Sequence, residues 1–394
     1  MALDPPLGKC PRAAVRLPLY RPIRRRNTAR HLFLQCPNHQ VRTSGRSMDP
    51  PGKLNTALPD EKDSVAVSVI MPCYNAHETV SRALDSLRTQ TFSDWELILV
   101  DDGSDDETLA LLQDAASRDD RMRVFARNHE GIVSALQWGC SNARGAFLAR
   151  MDADDIAHPE RLMRQAEFMQ THPDVVLCGT GVTMTGGRIG YGRKRYEKWI
   201  NTLVSHEEIV RDLFVECPIA HPTFFMRRDA YEAVGGYQDG GWAEDYDLIM
   251  RMALAGKQFG KVAEPLLDWA ESPERLSMRD SRYSPENFRA LKRYYLGQSH
   301  LRERNAFHQW GAGEVGKAWL REWDVIKPSA VVDINPRKVG RRIHGIPVIW
   351  PEALPGPGET FIVVAVGAPT ARFEIRAWLN PRGYRELQDF VFLA

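Results

Sequence analysis

The chain has 394 residues, of which 43% are hydrophobic and 26% charged, and its formal net charge is +1. This composition is ordinary for a soluble globular enzyme, and the length predicts two domains or one large domain with a smaller one. No apolar run approaches the roughly 18 to 20 residues that cross a bilayer, so no transmembrane segment is expected. No nucleic-acid partner is expected either.

The first 62 residues form a basic segment rich in Pro and Arg. Residues 1–60 carry 11 Lys and Arg against 3 Asp and Glu, with Arg24, Arg25 and Arg26 together and no apolar periodicity. We predict that the segment is disordered. It lacks the apolar run of a secretory signal. It could be a basic arm for acidic surfaces, a transit-like sequence, or an extension upstream of a start at Met48.

The six cysteines are scattered along the chain and form no C-x-x-C pair. This spacing predicts neither a zinc site nor a disulfide framework, so a reducing compartment is expected. We therefore expect a cytoplasmic protein. It could contact the inner face of the membrane peripherally if its acceptor is linked to a lipid.

From residue 65 onward, apolar runs alternate with amphipathic segments. The pattern predicts strands at 65–71 (ended by Pro72), 97–100, 122–125 and 146–151, and helices at 80–87, 109–116 and 133–141. Alternation of this kind predicts right-handed crossovers and a mostly parallel sheet, which is the α/β class. In such sheets, ligands bind beyond the carboxyl ends of the strands.

Three carboxylates, Asp152, Asp154 and Asp155, follow the fourth predicted strand. They repel one another unless positive charge lies between them, and a hard divalent cation that carries substrate phosphates is the natural partner. A solvated turn that caps the next helix is the alternative. Two further acidic clusters occur, at Asp101 and Asp102 and at Glu244, Asp245 and Asp247. We predict that the three clusters form one active site.

Five motifs follow one another along the chain: VSVIMPCYN at 67–75, QTF at 90–92, ELILVDDGS at 96–104, RMDADD at 150–155 and EDYDL at 244–248. With them, residues 65–277 resemble the family 2 glycosyltransferases, whose catalytic domain is a nucleotide-binding α/β sandwich of the GT-A type. The resemblance implies a metal-dependent, inverting transfer of a hexosyl or N-acetylhexosaminyl group. The implied donor is a nucleoside-diphosphate sugar, with UDP expected, and the implied acceptor is a hydroxyl of a glycan or lipid-linked molecule.

The resemblance also implies a donor-nucleotide pocket. Pro72 and Tyr74 would line the base, and Asp102 would accept the N3–H of uracil, which a carboxylate does with a charge-assisted hydrogen bond. Asp101 is expected to cap the turn that follows.

Two further roles in the donor site follow from the resemblance. Asp152 would contact the ribose, and Asp154 would hold Mn²⁺ or Mg²⁺ against the diphosphate. Asp155 could bind a metal-bound water or cap the next helix. Arg150 could reach the diphosphate or serve as a structural partner of Asp152.

Asp245 is the predicted general base, because an inverting transfer needs one carboxylate to take the proton of the acceptor hydroxyl. Trp242 is suited to stacking on an acceptor sugar. His221 could face the site, although a buried, hydrogen-bonded histidine is the alternative. Glu244 could contribute to the acceptor region or, like Asp247, place charge at a helix N-terminus.

The segment after Trp269 resembles the short closing segment of these enzymes. Arg275, in the sequence Arg-Leu-Ser, could clamp the diphosphate with two hydrogen bonds. We place the end of the catalytic domain, residues 63–280, just beyond it, followed by a helical connector at 281–304.

Residues 305–394 form a second alternating block. Gly311, Gly313 and Gly316 lie between a predicted strand and helix, with Asp333 twenty residues after Gly313, which is the context of a dinucleotide-binding fingerprint. The block resembles the small Rossmann-like domain that follows the transferase in β-1,3-N-acetylglucosaminyltransferase-like proteins, and also the N-terminal domain of some sugar acyltransferases. It could form a second nucleotide site, or serve packing or oligomer formation.

Two other functions use similar residues. A nucleotidyl- or phosphotransferase also needs clustered carboxylates and a metal, but it should show a phosphate-binding loop where residues 72–75 stand. A degenerate nucleotide-sugar-binding protein should lack Asp154 or Asp245, and both are present.

Overall fold

The computed structural model describes residues 65–187, 189–272, 275–368 and 370–394. The described residues belong to one compact unit and carry two β-sheets. The basic segment at residues 1–62, including Met48, lies outside the described residues.

The first sheet has eight strands in the order β3-β2-β1-β4-β7-β6-β8-β5. Its strands are β1 (Val67–Cys73), β2 (Trp95–Asp101), β3 (Met122–Ala126), β4 (Phe147–Arg150), β5 (Ile156–Ala157), β6 (Val175–Gly186), β7 (Phe225–Arg227) and β8 (Gln258–Glu271). The helices are α1 (Val80–Arg88), α2 (Thr108–Ser117), α3 (Ile132–Ser141), α4 (Arg161–Thr171), α5 (Tyr191–Thr202), α6 (His206–Arg211), α7 (Arg228–Ala233), α8 (Glu244–Leu254) and α9 (Leu276–Arg279).

The centre of this sheet is parallel and buried on both faces. Every residue of β1 and β2 is buried, which explains why these strands are nearly continuous apolar runs. β1 pairs in parallel with β2 on one side and with β4 on the other. The strand order reverses at β1, so the loops after β1, β2 and β4 open onto a topological switch point, where α/β sheets bind ligands.

The prediction that Pro72 ends the first strand is wrong, because β1 continues to Cys73 and Pro72 pairs with Val100 of β2. The carbonyl of Ile70 accepts from Met151 N on the β4 side. The backbone N–H and C=O groups of every second residue of β1, counted from Ile70, therefore point toward that side. The missing N–H of Pro72 therefore faces the side where β4 has already ended at Arg150, and no ladder hydrogen bond is lost.

The second sheet has six strands in the order β11-β12-β10-β9-β13-β14. They are β9 (His308–Trp310), β10 (Ala330–Val332), β11 (Arg342–Ile343), β12 (Ile346–Ile349), β13 (Ile362–Val364) and β14 (Phe390–Phe392), with helices α11 (Glu314–Glu322) and α12 (Ala371–Leu379). Five of the strands are parallel around β9, which confirms a smaller C-terminal α/β sheet.

Helix α10 (Pro285–Gln298) lies within the predicted connector. Its buried Lys292 donates to the carbonyl of Val215, in the segment after α6, at 2.7 Å and to that of Leu393, just after β14, at 3.2 Å, so the helix joins that segment to the second sheet. The domain boundaries at residues 62, 280 and 304 stay predictions. Within the described ranges, no helix is long and apolar enough to cross a membrane. The four described cysteines are all free and buried.

Two glycines at the start of α11, one in its first turn and one just before it, give a matched pair of substitutions. A Cβ at Gly316 would lie 2.0 Å from the carbonyl oxygen of Gly311, whereas one at Gly313 would have nothing within 4 Å. We expect Gly316→Ala to destabilise the protein by at least about 2 kcal/mol, because backbone must move. Gly313→Ala should stay within about 0.5 kcal/mol of wild type. Urea unfolding of both variants tests this, and equal midpoints would contradict the tight helix–strand contact.

Candidate active site

The carboxylates of Asp152, Asp154 and Asp155 converge immediately after β4. Each can offer an oxygen within 4.8 Å of the other two. Oδ1 of Asp155 accepts a hydrogen bond from Ala270 N of β8 at 2.8 Å, so Asp155 ties the loop to β8 and does not cap α4. Its Oδ2 is buried and has no hydrogen-bond partner. A buried, unpartnered carboxylate oxygen among two other carboxylates is what an oxygen-liganded cation would satisfy.

The electrostatics of this triplet point the same way. Burial and the neighbouring charge of Asp152 raise the pKa of Asp154 to about 6. Burial, together with the charges of Asp152 and Asp154, raises the pKa of Asp155 well above its usual range. Both shifts express unfavourable negative charge, which a divalent cation would relieve.

Arg150 is the cation at the centre of the site. It is buried at the end of β4 and forms an ion pair with Asp152, so the predicted structural partnership is present. Although burial acts to lower it, neighbouring charges, Asp152 first, hold the pKa of Arg150 above its ordinary value. Its charge also lowers the pKa of Asp154 and of Asp245, which places the triplet and the predicted base in one electrostatic field.

Arg161 is a member of the site that the sequence did not reveal. It is fully buried in the first turn of α4, and its Nη2 donates to the carbonyls of Arg150 and Pro222 at 2.6 Å each. Burial lowers its pKa to about 10. It therefore fixes the backbone that presents Arg150. Its sequence position, near the start of an amphipathic helix, looks like that of an ordinary surface arginine.

The predicted base pocket lies beyond β1 and β2. Pro72 is buried, while Tyr74 is half exposed and stacks on His129 with ring centroids 4.1 Å apart. The two oxygens of Asp102 accept from the backbone N–H groups of Glu130 and Gly131 at 2.9 Å. Asp102 thus anchors the start of α3 with its carboxylate, and a base contact would use its remaining lone pairs.

Asp101 has the turn-capping role expected of it. Its Oδ2 accepts from Ser104 N at 3.3 Å, and its buried Oδ1 has no hydrogen-bond partner. His129 is a second residue that sequence analysis missed. Its Nδ1 lies 2.9 Å from the carbonyl oxygen of Asp102.

The dual role of Asp102 gives a specific expectation for Asp102→Asn. One backbone N–H at the start of α3 would lose its acceptor, which should destabilise the fold by about 1–3 kcal/mol. The KM for the donor should rise more than kcat falls, because the nucleobase of the donor takes no part in the reaction. Thermal unfolding and donor kinetics measure the two effects, with Asp105→Asn at a neighbouring exposed carboxylate as the control. An unchanged donor KM would remove Asp102 from the base pocket.

Asp245 lies in the first turn of α8 and is half buried. Its Oδ1 accepts from Tyr246 N at 2.7 Å. Burial, and then the charge of Glu244, raises its pKa to about 7. A carboxylate with a pKa near neutrality is well matched to taking a proton at physiological pH.

Glu244 and Asp247 on the same turn have structural partners. Both oxygens of Glu244 accept from the Tyr283 hydroxyl, at 3.0 and 2.8 Å, and burial raises its pKa. Asp247 accepts from Tyr295 Oη at 2.7 Å and from Trp242 Nε1 at 3.0 Å. The indole N–H of Trp242 is therefore committed to α8, and its predicted stacking on a sugar stays a prediction.

His221 is a buried, hydrogen-bonded histidine, which was the alternative to a histidine that faces the active site. Its Nε2 lies 2.8 Å from the Tyr237 hydroxyl, and its Nδ1 is 3.6 Å from Glu244 Oε1. Burial lowers its pKa well below the usual range, so it is neutral at pH 7.

Arg275 immediately precedes α9. It pairs with Glu271, and its guanidinium carbon lies 4.8 Å from the centre of the Trp269 ring. Its charge lowers the pKa of Asp154, and its partner Glu271 follows Ala270, whose N–H donates to Asp155 of the triplet. This position is compatible with the predicted diphosphate clamp, which stays a prediction.

The carboxylate of Asp333, in the predicted second nucleotide site, already has hydrogen-bond partners within the protein. Gly311 has a φ of 115°, and Asp333 accepts from Ala312 N at 3.0 Å and from Asn335 N at 2.8 Å. Lys338 Nζ also donates to Asp333, at 3.0 Å. The acidic residue that would bind a ribose thus fastens its own loop, and a nucleotide role for this loop stays a prediction.

Comparison with known proteins places this geometry in context. The sequence profile "Glycosyl transferase family 2" matches residues 68–235. EpsE of Bacillus subtilis (strain 168) is 31% identical over 226 residues, which are 56% of this chain and 78% of EpsE. The O-antigen biosynthesis glycosyltransferase WbnJ of Escherichia coli is 30% identical over 187 residues, 47% of this chain and 71% of WbnJ. The crystal structure of S. aureus TarS 1–349 with UDP-GlcNAc aligns with a TM-score of 0.49 and 21% identity, over 59% of this chain and 66% of that one.

Proposed function

Because this chain belongs to glycosyltransferase family 2, we propose that it transfers a sugar, with inversion, from a nucleoside-diphosphate donor to an acceptor hydroxyl. One observation carries the proposal. Three carboxylates meet within 4.8 Å at the switch point of the sheet, and a buried oxygen of one lacks a partner. Asp245 shares the field of the same arginine, Arg150.

The triplet suits a divalent cation. Asp154, with support from Asp152 and Asp155, would hold Mn²⁺ or Mg²⁺, for which carboxylate oxygens are the preferred ligands. When bound, the cation supplies neutralisation of charge on the diphosphate leaving group. The residues of the chain supply the rest: Arg150 and Arg275 add positive charge beside the triplet, and Arg161 fixes the backbone of Arg150.

Asp245 would remove the proton of the acceptor hydroxyl. The acceptor oxygen forms a bond to the anomeric carbon as the bond from that carbon to the diphosphate breaks, and the proton passes to a carboxylate oxygen of Asp245. Attack on the face opposite the leaving group inverts the configuration. Arg150 helps to keep Asp245 ionised, while Glu244 raises its proton affinity.

The donor base would lie over Pro72 and Tyr74, with UDP as the expected nucleotide. For the acceptor, we propose a glycan or a lipid-linked saccharide. Relatives named for O-antigen and amylovoran biosynthesis support a role in polysaccharide assembly. For the C-terminal sheet, we propose packing or oligomer formation over nucleotide binding, since Asp333 is occupied by its own loop.

Calorimetric titration of the full chain with UDP, GDP and ADP, each with and without MnCl₂, tests the donor site. We expect UDP to bind most tightly and only weakly after chelation of the metal. Equal affinity for the three nucleotides, or metal-independent binding, would contradict the proposed pocket.

A further inference from the structure

Glu271, at the end of β8, joins α5 to α9. Its Oε2 accepts from Arg193 Nε of α5 at 3.0 Å, and its Oε1 forms ion pairs with Arg193 and with Arg275, the residue before α9. Both guanidinium groups also approach the Trp269 ring, at 5.8 and 4.8 Å. The start of α9 is therefore fixed against the first half of α5.

Asp212, a buried residue just after α6, joins the other half of α5 to α12. Its Oδ2 accepts from Trp199 Nε1 of α5 at 2.9 Å. Arg372 and Arg376 of α12 approach the same carboxylate at 3.4 and 3.3 Å. Two carboxylates thus join α5 to α9 at one end and to α12 at the other, so the three helices are neighbours.

The outer surface of these helices collects exposed apolar side chains. Among the described residues, the four most exposed large hydrophobic side chains are Val325 at 89%, Tyr191 at 82%, Phe373 at 77% and Met278 at 73%. Three of the four lie on α5, α12 and α9, one on each helix. Such a concentration on neighbouring elements marks an interaction surface more strongly than scattered exposure would.

Helix α5 also carries exposed basic side chains. Lys194, Arg195 and Lys198 are exposed on α5, three, four and seven residues after Tyr191, which is the spacing of one helix face. Glu197 of α5 turns away and accepts from Met184 N at 3.2 Å. On α12, Glu374 adds one exposed carboxylate. The surface is therefore cationic, in a chain whose net charge is only +1.

We call this surface the α5 face and define it by Tyr191, Lys194, Arg195, Lys198, Met278 and Phe373. We propose that the α5 face docks on a bilayer that contains anionic lipids. Basic side chains attract phosphate headgroups, while isolated aromatic and apolar side chains enter the interface without spanning it. This combination favours a lipid surface over a nucleic acid. Phosphates of a nucleic acid would attract the basic side chains, but they would not bury the apolar side chain of Met278.

The α5 face adjoins the candidate active site through the end of β8. Ala270 N donates to Asp155 of the carboxylate triplet, and the next residue, Glu271, pairs with Arg193 of α5 and with Arg275. Docking would hold the donor site beside the membrane surface. The value of that position rests on the proposed function, with a lipid-linked acceptor. The docking itself does not depend on the reaction.

Sedimentation of the full chain with vesicles tests the proposal without any donor. Vesicles of phosphatidylcholine are compared with vesicles that also contain phosphatidylglycerol, at low and high salt. The charge variant is Lys194→Glu/Lys198→Glu, and the apolar variant is Tyr191→Ser/Phe373→Ser. The matched control, Lys327→Glu/Val325→Ser, changes the same kinds of exposed residue between α11 and β10.

We expect binding only to the phosphatidylglycerol vesicles and weakening at high salt, since screening reduces the attraction. Binding should fall at least about tenfold in the charge variant. It should fall severalfold in the apolar variant and stay unchanged in the control. The proposal is overturned by equal binding to both vesicles, by no binding, by an equal loss in the control, or by binding to RNA with none to vesicles. None of these results would bear on sugar transfer, which a donor assay measures separately.

Discussion

Asp245→Asn should reduce kcat by about 10² to 10⁴-fold while the affinity for the donor nucleotide stays nearly unchanged. The substitution preserves shape and most hydrogen bonds, including acceptance from Tyr246 N, but it removes the proton acceptor. The effect should appear in kcat because the proton moves in the transition state. Steady-state kinetics together with calorimetry of the nucleotide separate the two quantities.

The pH dependence of the wild-type enzyme follows from the same residue. The pKa of Asp245 is raised to about 7 in the folded protein. Because the base must be ionised, kcat should rise with pH through about 7 and fall below it. A flat profile between pH 5 and 8 would contradict the assignment.

Glu244→Gln is the matched control, since it changes the adjacent carboxylate of the same turn. Removing the charge of Glu244 removes one cause of the raised pKa of Asp245, so the acid limb of the pH profile should move to lower pH. Most of kcat should remain. An inactive Glu244 variant beside an active Asp245 variant would show that the base assignment is wrong by one residue. Near-normal kcat in both would leave this cluster as a helix terminus.

Asp154→Asn should lower activity by roughly 10³-fold or more, because charge stabilisation by a metal is worth several kcal/mol. Two of the three carboxylates would remain, so Mn²⁺ should bind much more weakly. Loss of Mn²⁺ affinity, measured by calorimetry in the absence of donor, distinguishes this effect from a general loss of activity.

Asp120→Asn is the control for that experiment, because Asp120 is exposed at the opposite edge of the sheet, before β3. Its activity and metal affinity should match those of wild type. Full activity of the wild-type enzyme in EDTA would contradict a metal-binding role for the three carboxylates.

The sequence predicted the parts of the molecule that depend on local pattern. The runs that became β1, β2 and β4 are apolar because those strands are buried on both faces, and the structure confirms the α/β class. Each acidic motif sits at a strand or helix terminus as expected. The roles given to Asp102, Asp154 and Asp245 stay predictions of function, now with defined surroundings.

What sequence analysis missed depends on contacts between distant parts of the chain. Pro72 can lie within β1 because the pairing of β1 with β4 ends at Ile70, two residues before it. No residue near Pro72 in the sequence indicates where that pairing ends. Arg161 binds backbone carbonyls 11 and 61 residues away. Tyr283 meets Glu244 from a segment 39 residues later. No periodicity marks such residues, because their burial is decided by packing.

The long strands β6 and β8 were also not assigned. They pair in parallel with register shifts near Gly181, and several residues of β8 are exposed. Their sequences therefore show neither continuous apolar runs nor clean alternation. Register shifts of this kind follow from pairing in three dimensions, which the sequence does not display.

Release of nucleoside diphosphate from a panel of nucleotide sugars, with Mn²⁺ present, measures the proposed use of a nucleoside-diphosphate sugar as donor. We expect the full chain to release the diphosphate from at least one UDP-sugar and EDTA to abolish release. Asp245→Asn should release it at least about 10²-fold more slowly. Release of pyrophosphate instead would indicate nucleotidyl transfer. No release from any nucleotide sugar, or equal release by the wild type and Asp245→Asn, would contradict the proposed transferase mechanism.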